Sequence, residues 1–129
     1  MKKLLAIAVL FFASQTISAQ TAFDKWPAMK TFHEVMARVY HPVEDGNLGA
    51  VKDYAATLDK TAQDLSTKDI PAEFKTKQMM AGIAKLQEQT ATLKKLVATH
   101  ASDEDLKTAV TQAHETFHQL VGMCSGEKH

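Results

Sequence analysis

The residues in this chain best placed to do chemistry are those of His114-Glu115-Thr116-Phe117-His118. Two histidines four residues apart on a helix lie on one face, one above the other. That is the simplest way for a helix to hold a transition metal. The same string fits the HExxH pattern of zinc peptidases, where the glutamate activates water. Only 11 residues follow His118, so the usual downstream third ligand has no room, and no strand is available to bind an extended substrate. The pattern is therefore read as a metal pair, not a catalytic site, and the protein is not expected to be an enzyme.

Further donors stand elsewhere. His33 and His41 fall near the start of the chain, Glu44 follows His41, and Cys124 lies six residues beyond His118. Imidazole, carboxylate and thiolate at this density suit zinc, copper or nickel. The candidate metal ligands are His33, His41, Glu44, His114, His118 and Cys124. Copper(I) would favour Cys124 and the nearby Met123 or Met36. The plain alternatives are surface histidines that happen to share a helix face, a buried Cys124 thiol, and methionines that only pack. Trp26 and Tyr40 are read as core or helix-end residues, and His100 as a favourable charge at a negative helix end.

These residues need helices to position them, and four can be read. The first runs from about Pro27 to His41, with Met29, Phe32, Met36, Val39 and Val43 as its apolar stripe. Pro42 and Glu44-Asp45-Gly46-Asn47 are expected to end it. The second starts near Asn47 and carries Leu48, Val51, Ala55, Leu58, Ala62 and Leu65. The third is expected from Pro71 to Thr99, along Met79, Ile83, Leu86, Thr90, Leu93 and Val97. Ser102 caps the fourth, which runs to about Met123 and buries Leu106, Val110, Ala113, Phe117, Leu120 and Cys124. No segment alternates with period two. The expected fold is an all-α, antiparallel up-down-up-down four-helix bundle. In that order the first helix lies beside the last. If Ala37 is level with His118, then His41 is level with His114, and His33 lies near Gly122 and Cys124, to within about one turn (~5.4 Å).

Residues 1–19 read as a secretory signal peptide. Met1-Lys2-Lys3 is a charged start, Leu4 to Ala13 an apolar run, and Ala19–Gln20 the expected cut. The helical domain is then 20–129, expected in the periplasm with no membrane insertion after cleavage. Removing Lys2 and Lys3 leaves 13 basic against 15 acidic residues, so nucleic acid is a poor partner. Cys124 is the only cysteine, which excludes an internal disulfide and leaves a link between two copies, a homodimer, as one of its roles.

Several strings also resemble a known class. Met29-Lys30-Thr31-Phe32, Val51-Lys52-Asp53 and Phe117-His118-Gln119 resemble segments of the soluble periplasmic cytochrome b and cytochrome c-prime four-helix bundles, over roughly residues 24–124. The resemblance implies a non-covalent haem b held by Met29 and His118, and electron transfer as the function. The chain departs from that class in lacking C-x-x-C-H, in Pro42 and a longer first loop, and in His33, His41 and His114, which have no role there. It is also similar to uncharacterised exported bacterial helical proteins with a Tyr/Phe-His-Pro turn and a His-x-x-x-His-x5-Cys string, here Tyr40-His41-Pro42 and His114, His118 and Cys124. The expected function is thus binding, buffering or delivery of a metal ion. A haem protein and a ligand-free helical adaptor are the alternatives.

Overall fold

The computed structural model describes residues 22–67 and 70–124. The expected signal peptide and the tail after Cys124 lie outside the described residues. The described residues are all-helical, with no strand among them. Its long helices are α1 (Pro27–Glu44), α2 (Gly49–Thr67), α3 (Lys77–Ala98) and α4 (Asp103–Cys124), with a 3-10 turn at Ala72–Phe74. Residues 22–25 form a helical segment ahead of α1. Among the described residues, no helix is long and apolar enough to cross a membrane.

The apolar stripes become the core. All five stripe residues of α1 are buried, as are Val51, Ala55, Leu58, Ala62 and Leu65 of α2. Met79, Ile83, Leu86 and Leu93 of α3 meet Leu106, Val110, Ala113, Phe117 and Leu120 of α4 in the same cluster. Each such side chain stabilises the fold by roughly 1.5–3 kcal/mol through its burial. Thr90, a polar residue in the α3 stripe, is fully buried and donates its hydroxyl hydrogen to Asp59 Oδ1 at 3.0 Å on α2. The Gln87 amide donates to Ala62 O at 3.1 Å one turn away. These two contacts set α2 and α3 antiparallel. α3 meets α4 closely where Gly82 lies under Leu120, leaving no room for a Cβ without moving that leucine.

The helix ends cluster. Lys52 near the start of α2 pairs with Asp103 at the start of α4 at 3.0 Å, next to the end of α3. At the opposite end Trp26 stacks on Phe74, with centroids 6.1 Å apart, and Lys25 pairs with Glu73 at 2.9 Å. Consecutive helices pack most extensively, and α1 also touches α4 along a narrower seam.

Two expected boundaries are corrected. Pro42 does not end the first helix, which continues to Glu44. Proline forfeits one helical hydrogen bond, but Val43 is buried one residue later and holds the last turn on the core. The helix then closes on Gly46, at φ +82°. Gly46 N–H donates to Val43 O at 2.9 Å, and Asn47 N–H donates to Pro42 O at 2.9 Å. This is the Schellman pattern, with glycine in the left-handed position. The third helix does not start at Pro71 but at Lys77. Phe74 must turn inward against Trp26, and Thr76 then caps the helix by accepting from Met79 N–H at 3.0 Å. Ser102 caps α4 as expected, accepting from Asp105 N–H at 3.2 Å.

The end of α3 repeats the Schellman pattern with a histidine. His100 N–H donates to Val97 O at 3.1 Å and Ala101 N–H to Leu96 O at 2.9 Å, with His100 at φ +58°. Its backbone fills the left-handed position of that pattern. A left-handed backbone is costly for any residue with a Cβ. His100→Gly should therefore stabilise the protein by about 0.5–1 kcal/mol. Thr76→Ala should destabilise it by about 1 kcal/mol through loss of the cap. Urea-unfolding midpoints of the two variants check both signs.

Candidate metal site at the seam of the first and last helices

The seam between α1 and α4 carries an open pocket. On α1 it is lined by His33, Met36, Ala37, Tyr40, His41 and Glu44. From α4 come His114, Phe117, His118 and Val121, and Phe23 closes it from the segment before α1. Both contributions follow from helical period: 33, 37, 40, 41 and 44 share one face of α1, and 114, 117, 118 and 121 share one face of α4. The continuation of α1 through Pro42 brings Glu44 onto this face. The pocket encloses about 350 Å³.

The two imidazoles of α4 are in contact, with His114 Nε2 and His118 Nε2 3.2 Å apart. His114 lies flat against Tyr40, with centroids 3.8 Å apart and planes 6° from parallel. This stack sets the ring plane of His114 and places Tyr40 opposite it across the seam, while His33 faces Phe117 and not the expected neighbourhood of Gly122 and Cys124. Around the pair, His41 Nδ1 lies 3.7 Å from Glu44 Oε1, and both side chains are largely exposed. His33 stacks on Phe23 at 4.9 Å and on Phe117 at 6.0 Å. Among the described residues, no three His, Cys, Asp or Glu side chains converge closely enough to hold an ion as they stand.

Burial favours the neutral form of His114. Its pKa is lowered from 6.5, first by burial and then by the neighbouring His118. Glu44 and Glu115 oppose the shift and His41 adds to it. Neutral imidazole is the form that binds a metal.

The structure thus gathers His33, His41, Glu44, His114 and His118 at one pocket and leaves other candidates outside it. Cys124 does not line the pocket. It packs half-buried against the core, and burial, with Glu73 nearby, pushes its thiol up to about 11. A metal is bound by the thiolate, so this thiol is not a ready ligand. Met29 is fully buried in the core, away from the lining that contains His118. Glu115 is exposed and also outside the lining. Tyr40 and Phe23 are the residues the sequence reading missed as parts of the site. Tyr40 sits one residue before His41 and seven after His33, a spacing that carries it onto the same face. Comparison with family models, curated proteins and solved structures found no match to this chain.

The lowered pKa of His114 makes stability depend on pH. Between the lowered folded value and the unfolded value near 6.5, the unfolded chain binds more protons than the folded one. The contribution of His114 is therefore fully present above the unfolded value and is lost as pH falls through the folded one. Metal-free protein should lose stability on acidification from about pH 7.5 to about pH 5.5. His114→Gln should lose less over the same interval, as measured by urea midpoints at the two pH values.

Proposed function

We propose that the chain is an exported helical protein that binds a transition-metal ion, zinc, copper or nickel, at the edge of an up-down-up-down four-helix bundle. His114 and His118 are its primary ligands. His41 and Glu44, with His33 further along the pocket, are the donors that complete the ion's shell. The role that follows is binding, buffering or delivery, not catalysis. The leader-like residues 1–19 support export to the periplasm, and the clustering of alternate helix ends supports the bundle order.

One observation carries this reading: the 3.2 Å between the two Nε2 atoms. An ion with metal–nitrogen bonds of 2.0–2.1 Å and tetrahedral angles needs its nitrogens about 3.3 Å apart. The two rings present that spacing, with the plane of the His114 ring held by Tyr40. Their neighbours suit the task. Glu44 offers negative charge against a cation, and the exposed His41 and Glu44 side chains are free to turn inward. Because the site joins α1 to α4, helices without a loop between them, a bound ion would staple the first helix to the last.

Addition of Zn(II) to metal-free protein should therefore raise its thermal midpoint, as expected for a ligand that binds only the folded state. His114→Ala and His118→Ala should each weaken Zn(II) binding at least about tenfold, the loss that even an outer-shell partner causes. His100→Gly, outside the pocket lining, should leave it unchanged. Calorimetric titration of the three variants measures this, and equal affinities in all three would refute the assignment.

A further inference from the structure

The metal reading leaves one coordination position to be explained. Two imidazole nitrogens 3.2 Å apart, with bonds near 2.0 Å, subtend an angle of roughly 100° at the ion. Two-coordinate copper(I) prefers its donors opposite one another, so a monovalent copper ion held at this angle demands a third donor. The soft donors near the end of α4 and along α1 are Cys124, Met123, Met29 and Met36, and the structure separates them: Met29 is fully buried in the core and does not line the pocket. Cys124 packs into the core by Glu73, outside the pocket. Met123 turns towards α3, where its Cε approaches the position a Cβ on Gly82 would take. Met36 lines the same pocket as both imidazoles.

We infer that Met36 supplies a thioether to the ion held by His114 and His118, and that the ion this pocket is suited to take is copper(I). The inference rests on the metal reading given above. Met36 is only 2% exposed, so its thioether has almost no hydration to lose on binding. Thioether is a soft ligand that selects copper(I) over zinc. Two neutral imidazoles and a thioether form a donor set without charge. Burying an ion in such a set costs far less for a single charge than for a double one, because the desolvation penalty rises with the square of the charge. Tyr40, Phe117 and Phe23 supply apolar walls that limit water around a weakly hydrated ion. Glu44 is the carboxylate among the lining residues, and it sits at the rim beside His41, away from the sulfur in sequence and on the exposed side. A divalent ion would draw Glu44 and His41 inward in place of Met36.

The test is anaerobic competition for copper(I) against the chromophoric chelator bicinchoninate, with Zn(II) affinity measured in parallel. The proteins are the wild type, Met36→Leu and Cys124→Ser. Leucine nearly conserves the volume of methionine, so the core tolerates the change, and far-ultraviolet circular dichroism verifies it. The wild type should bind one copper(I). Met36→Leu should weaken copper(I) by about tenfold or more with Zn(II) affinity unchanged, and Cys124→Ser should alter neither. X-ray absorption of the copper(I)-loaded wild type should show a sulfur scatterer at about 2.3 Å, retained in Cys124→Ser. A copper shell without sulfur, a sulfur signal lost in Cys124→Ser, or an unchanged copper(I) affinity in Met36→Leu would each overturn the inference. Zn(II) bound by the histidine pair in those cases would leave the metal reading standing. Wild type that binds no copper(I), Zn(II) or Ni(II) would sink both.

Discussion

The stack of Tyr40 on His114 is the contact on which the site depends. α1 and α4 share no loop, so nothing covalent nearby sets how one slides along the other. Their register comes from side chains that meet across the seam: Phe32 against Phe117, with centroids 4.9 Å apart, and Tyr40 against His114 at 3.8 Å. The first pair is part of the buried core and the second sits just outside it. A slip of one helical turn would move His41 and Glu44 past the imidazole pair and leave His114 without its flat partner. The core pair and the stack therefore set the register together.

That division explains the chemistry at the seam. α1 meets α4 along a narrower strip than the other helix neighbours, and the strip opens into a pocket instead of closing over apolar side chains. A pocket at such a seam is half in water. Burial lowers the pKa of His114, while His118, His41 and Glu44 remain exposed. On the proposed metal reading, a ring held by Tyr40 on one side and exposed donors on the other suit an ion that is buffered or delivered. A fully enclosed four-ligand shell would instead hold its ion as a structural element.

Much of this was legible in the sequence because helices repeat at 3.6 residues. The stripe of α1 names its buried residues one for one, that of α2 misses only the buried Thr61, and the histidine spacing put His33, His41, His114 and His118 at a common pocket. The boundaries were less legible, because tertiary burial overrode local signals. Pro42 reads as a stop, but Val43 is needed in the core and holds the helix on to Glu44. Pro71 reads as a start, but Phe74 must first turn in against Trp26, so the helix waits for the Thr76 cap. His100 reads as a charge at a helix end, whereas its backbone fills the left-handed position usually given to glycine. The separation of Cys124 from the histidines could not be read from spacing alone. Six residues along a helix place a side chain well around the cylinder, and which neighbour it then meets is a matter of packing.

The central claim is that His114 and His118 hold one ion together. Its most direct test is long-range proton–nitrogen NMR of the histidine rings during titration of the metal-free protein with Zn(II). The account requires the Nε2 signals of His114 and His118 to shift together and to saturate at one equivalent. Shifts spread over His33, His100 and His129 without saturation, or an unmoved His114–His118 pair, would contradict it and leave the chain a helical protein whose histidines share a face without sharing an ion.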